Sequence, residues 1–182
     1  MQPLGARVVP LDREGSKRGR QMSYARLAAM IVVSTLVMFI LMYLNTYAIG
    51  HVFFSQTRAW MAVVMGATMA VLMLGFMWSM YKGGAANAVI VVCATIAFSG
   101  ALWLVRSQET VDDVAYMKAM IPHHSIAVMT SERAHIRDPR VRELADGILQ
   151  TQVKEIAEMK ELISELERQP PPKSSPRLPA HR

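Results

Sequence analysis

Acidic residues are missing from a long stretch of this chain: between Leu27 and Val105 the only Asp, Glu, Lys or Arg side chains are Arg58 and Lys82. A water-soluble domain of that length needs a charged surface, so the stretch excludes one and asks for an apolar solvent. Cysteine is nearly absent as well. The single Cys93 allows no intramolecular disulfide and no cysteine-based zinc site, and inside an apolar run it reads as a small buried hydrophobe. The soluble part also lacks a nucleophile paired with a base, a glycine-rich phosphate cradle and a pair of facing carboxylates. No enzymatic activity is expected.

What the chain has in quantity is apolar surface: 52% of its 182 residues are hydrophobic, with 15 Met. Three apolar runs, about 27–49, 59–81 and 85–105, each reach the roughly 20 residues a helix needs to cross a bilayer. The expected fold is all-α, with a three-span transmembrane region over 27–105 followed by a soluble helical hairpin. The first run is too long for a signal-peptide core of about 7–15 residues, and Thr46-Tyr47-Ala48 is a weak cleavage site, so it reads as an uncleaved span.

The tail over 1–26 carries Arg7, Arg13, Lys17, Arg18, Arg20 and Arg26 against Asp12 and Glu14, while the first outer loop has Arg58 alone. By the positive-inside rule the tail is cytoplasmic, Lys82-Gly83-Gly84 is an inner turn, and three crossings carry the C-terminal domain outside. Anionic membrane lipid is partner enough for the net charge of +6, and no nucleic acid is needed.

The soluble domain spans 107–168. Thr110-x-x-Asp113 resembles a capping box, opening a helix with the stripe Val114, Met117, Ile121, His124 and Val128. Pro122 should kink or restart that helix. Asp138-Pro139 caps a second helix, with Val141, Leu144, Ala145, Ile148, Gln152, Ile156, Met159, Ile163 and Leu166 on one face. The Pro-rich segment 169–182 cannot continue it and reads as disordered. Two helices of this size bury too little to stand alone, so a homo-oligomer completing a four-helix bundle is expected.

Met120, His123 and His124 fall within about 100° of arc on a helical wheel, so one thioether and two imidazoles face the same way. Such donors suit copper, Cu(I) above all; zinc would accept the imidazoles but gains little from Met. Gln152 and Met159 lie on the packing face of the second helix, where a buried amide needs a partner such as a histidine nitrogen. Met129 points well off the His124 direction on a straight helix, and His135 at the helix end reads as exposed. The alternative is an interaction or oligomerisation domain whose His and Met are structural. In the second span, Met61, Met65, Met69, Met73 and Met77 recur every four residues, the pattern of a Cu(I) path that would give the spans a transporter role, but such a row wraps the helix by about 40° per step, and Met is a common gap-filler. His51, in the outer loop, reads as solvated.

The residues Met120-Ile-Pro-His-His124, Ala127-Val128-Met129, Leu144-Ala145, Gln152, Glu155-Ile156 and Met159 resemble domain of unknown function family 305. The resemblance implies a ferritin-like helical bundle and kinship with periplasmic copper-binding proteins. It gives Met120, His123, His124, Met129, Gln152 and Met159 ligand or near-ligand positions. The chain differs in holding one bundle repeat and in lacking the further Met and His of copper-rich members. With three spans ahead of the domain, the resemblance implies a bacterial inner-membrane protein with a periplasmic domain and a copper-handling partner protein.

Overall fold

The computed structural model describes residues 23–172 together with 175, 176 and 178. Most of the basic N-terminal tail and much of the Pro-rich segment therefore lie outside the described residues. Those described form five α-helices, two short 3-10 turns at Ile49–His51 and Trp78–Met80, and no strand: α1 Tyr24–Leu41, α2 Gln56–Phe76, α3 Gly84–Ser107, α4 Asp113–Arg133 and α5 Pro139–Arg168.

The first three helices are 18, 21 and 24 residues long and apolar enough to cross a membrane. At about 1.5 Å per residue they reach roughly 27–36 Å, close to the thickness of a hydrocarbon core. Their outer faces stay bare: Val32, Leu36, Val92 and Ile96 are all more than half exposed, a pattern suited to lipid. Small residues set the packing. Ala62, Gly66, Ala67 and Ala70 are the buried face of α2, and the Thr35 side chain of α1 occupies the space a Cβ at Gly66 would need. The methionine row does wrap the helix, since Met61 is exposed whereas Met73 and Met77 pack against Leu27, Leu74 and Tyr81. Cys93 is exposed on α3 rather than buried, because the side of α3 that meets α2 is the one carrying Ala94 and Ala101.

Helix α1 stops at Leu41, eight residues before the apolar run ends. Hydrophobicity continues there, but the chain turns because its carbonyls find other partners. Arg58 donates from Nη1 to the Met42 carbonyl at 2.8 Å and lies 4.5 Å over the Tyr43 ring. A cation at a helix C-terminus satisfies the free carbonyls and the dipole together. The Ser55 N–H donates to the Tyr43 hydroxyl at 3.0 Å, closing the loop before α2, whose cap is the Ser55 side chain. At the opposite end Tyr24 Oη accepts from the Gly83 N–H at 3.1 Å and donates to Asn87 Oδ1 at 2.8 Å, which ties α1 to the α2–α3 turn.

Helices α4 and α5 form the expected hairpin. The cap of α4 is Asp112, which accepts from the Ala115 N–H at 2.7 Å, and not Thr110; a carboxylate makes the stronger, charge-assisted cap. Asp138 and Pro139 cap α5 as their order implies. Pro122 does not restart α4, which runs as one helix from Asp113 to Arg133 with the proline ring buried. Met117, Ile121 and Val128 meet Ile156, Met159 and Ile163 in the core. On α5 the early part of the stripe is covered at Ala145 alone: Val141, Leu144 and Ile148 stay 50%, 65% and 40% exposed.

The α1–α2 loop lies on one side of this hairpin, and its Phe53 packs against the hairpin core. Ser125, fully buried on α4, accepts from the Tyr47 N–H at 2.9 Å and stands 3.0 Å from His51 Nδ1. His51 is therefore docked and half-buried, not solvated. Arg133 sits 5.7 Å over the Tyr47 ring. Replacing Ser125 by Ala leaves the Tyr47 N–H without its partner, so local stability of the loop should fall by about 1–3 kcal/mol. Hydrogen exchange of the loop amides in the full chain measures this; unchanged protection would show that Ser125 does not hold the loop.

Candidate metal site

Polar contacts close the hairpin at its two ends. Lys118 pairs with Glu167 at 2.6 Å, and Arg142 Nη2 donates to the Ser131 carbonyl at 2.7 Å. Between them His124 comes up beside Glu155, its Nδ1 3.1 Å from the carboxylate Oε2. The contact lies off the line of a hydrogen bond, so this buried nitrogen has no aligned partner, and the pair becomes an ion pair only when the imidazole is protonated. The Gln152 amide donates to the same Oε2 at 3.2 Å, so the partner of the half-buried glutamine is a carboxylate one turn on rather than an imidazole across the bundle. His123 is exposed, with its ring 6.0 Å from that of His124.

The six residues expected to form the site do not all share one environment. His123, His124 and Gln152 gather along one edge of the hairpin with Glu155. Met159 is buried in the core beside Ile156, and Met120 packs against that core. Met129 is half-buried, about 140° around an unbroken helix from His124. Glu155 is the residue that sequence reasoning left off its candidate list, although the Gln152-x-x-Glu155 spacing was visible in the chain. No group of three or more His, Cys, Asp or Glu placed to hold a metal occurs among the described residues. A metal held here must therefore draw on a thioether or an amide as well. A Glu-x-x-His spacing, Glu132 to His135, straddles the end of α4, and its His135 is exposed beyond the helix.

Burial pushes the His124 pKa below the ordinary 6.5; Glu155 opposes this and His123 reinforces it. His51 is lowered too, by burial and then by the Lys160 charge. A histidine whose folded pKa is depressed contributes stability that is present above its unfolded value and is lost as pH falls through 6.5 toward the folded value. With chelator present, the hairpin should be less stable at pH 5 than at pH 7.5, and His124→Gln should flatten that dependence. A thermal unfolding series against pH tests both, and an unchanged slope in the variant would show that His124 is not held neutral by the fold.

Residues 113–181 match the family model described as domain of unknown function (DUF305). An uncharacterized protein of Acanthamoeba polyphaga mimivirus is 29% identical over 144 residues, an alignment covering 75% of this chain and 93% of that relative. An alignment over that share of the chain must extend upstream of residue 113, into the apolar helices. No solved structure matches. The α4–α5 hairpin, with its two adjacent histidines and the carboxylate beside them, is the part of the chain under that match, so it is this C-terminal region that is similar to the DUF305 family.

Proposed function

We propose that this protein is a membrane-anchored metal-binding protein that sequesters or passes on copper at the edge of its α4–α5 hairpin. The observation that carries the reading is the His124–Glu155 contact at 3.1 Å: an imidazole whose pKa burial lowers, with a carboxylate beside its Nδ1. Turned to hydrogen-bond that carboxylate through Nδ1, a ligating His124 would be held in orientation and made more basic. His123 supplies a second imidazole and Met120 the nearest thioether in sequence, a donor set that suits Cu(I) better than zinc. Gln152, Met129 and Met159 are near-ligand residues in this reading. Gln152 acts on Glu155, and Met159 lines the core behind the site.

The compartment follows from the charge asymmetry. Five basic residues ahead of α1 and Arg26 in its first turn favour a cytoplasmic N-terminus, and three crossings would then put the hairpin outside, in the periplasm of a bacterial host. There the hairpin would meet a copper-handling partner. A second reading, an interaction domain with structural His and Met, draws on the burial of Met159 and Met117 in the core.

Titration of the full chain in detergent with Cu(I), Cu(II) and Zn(II) separates the two. Joint replacement of His123 and His124 by Ala should remove most copper affinity. Glu155→Gln should weaken binding by about 10–100-fold. Met120→Leu should weaken Cu(I) more than Zn(II) with little loss of stability. If the double histidine variant binds copper like the parent and merely unfolds more easily, the interaction-domain reading replaces this one. Topology is checked separately: a reporter fused after Arg168 should be active only on the non-cytoplasmic side, and cytoplasmic activity would overturn the compartment.

A further inference from the structure

The geometry points to a docking face for a second copy of this chain on α5, centred on Gly147 and independent of any metal. Three observations carry it. The first is the outer side of α5 near its start, where Val141, Leu144 and Ile148 remain 40–65% exposed although Ala145 is buried, while Ile156, Met159 and Ile163 are buried under α4 and Phe53. The α1–α2 loop that covers the hairpin touches it near Ser125 and Lys160. Lys160 lies about 120–160° around α5 from Leu144 and Ile148, so the loop leaves their side open.

The second is Gly147 itself. Glycine is among the least favourable residues for a helix interior, yet this one lies in the body of a 30-residue helix. Nothing lies within 4 Å of where its Cβ would be. No neighbour within the chain needs the small residue, whereas close approach of another helix does.

The third is the shape and chemistry of the surroundings. Leu144, Gly147, Ile148 and Thr151 line an open groove of about 550 Å³ along a single helix, with Arg140 and Glu143 on its rim and Gln152, at the border of the candidate metal site, closing its far end. Their spacing of i, i+3, i+4 and i+7 is that of a helix-packing seam. A rim bearing both charge signs is self-complementary, as the same patch must be when it meets its own copy. The chain's own C-terminal segment is a poor occupant, since residues 169–182 offer Leu178 as their one large apolar side chain. Copies anchored in one bilayer also meet at high effective concentration, so a face of three helical turns is sufficient.

Disulfide trapping in the full chain tests the face, with Cys93 replaced by Ser, the protein reconstituted in phosphatidylcholine vesicles at low density and chelator present throughout. Leu144→Cys or Thr151→Cys should give dimers at least roughly tenfold faster than Ala157→Cys, an exposed site on the other side of α5, because only the docked face holds the sulfurs together. Gly147→Leu favours the helix and meets no neighbour within the chain, so it should leave helicity intact and abolish trapping at Thr151→Cys. Trapping at Leu144→Cys no faster than at Ala157→Cys would overturn the proposal. So would dimers that persist undiminished with Gly147→Leu. Because no metal is present, neither result depends on the copper reading.

Discussion

The structure depends on how the apolar stripe of a two-helix hairpin is kept from water. Helices α4 and α5 face each other through six buried side chains, a contact too small to hold such a hairpin alone. Part of the missing cover comes from the chain itself. The α1–α2 loop reaches over with Phe53, and the buried Ser125 hydroxyl takes up the Tyr47 N–H that this approach would otherwise strand. The loop is held in turn by Arg58, which closes the end of α1 and stacks on Tyr43.

This arrangement decides which edge of the hairpin is available for chemistry. Ser125 and His124 are neighbours in sequence but point about 100° apart on the helix, so when the loop occupies the Ser125 side the His124 side is left open. Glu155 and Gln152 then line the open edge, and Lys160 lies under the loop on the other flank. Both flanking imidazoles are kept below their ordinary pKa, chiefly by burial. On the loop side a neutral His51 can accept the Ser125 proton at Nδ1. On the open side a neutral His124 keeps a lone pair for a ligand.

Much of the architecture could be read directly from the residues, because it rests on local physics. Charge-free runs long enough to span a bilayer appear as α1, α2 and α3, and the 3.6-residue periodicity of the stripe appears in α4 and α5. The Asp138-Pro139 cap is equally local, and it stands. The misses have physical causes. The end of α1 at Leu41 depends on Arg58, seventeen residues away, and no hydropathy pattern shows which carbonyl a distant guanidinium will reach. Pro122 passes without a restart because a buried ring and the contacts on either side outweigh one lost hydrogen bond.

The residue types at the candidate site were present in the sequence, but their grouping was not. The adjacency of His123 and His124 and the Gln152-x-x-Glu155 spacing are covalent facts that helical geometry turns into faces. Which of those faces meet is a matter of the register between α4 and α5, fixed by the interlocking of Met117, Ile121 and Val128 with Ile156, Met159 and Ile163 and matched at the ends by Lys118 with Glu167 and Arg142 with the Ser131 carbonyl. That register set Glu155 against His124 and sent Met159 into the core. His51 shows the same division: its place in a loop between two apolar runs was evident from the chain, while its burial against Ser125 required the loop to fold onto a helix more than seventy residues away. Composition and periodicity act over a few turns and so determine elements. Contacts across long loops are chosen by the packing of the whole chain, and only the tertiary structure could decide them.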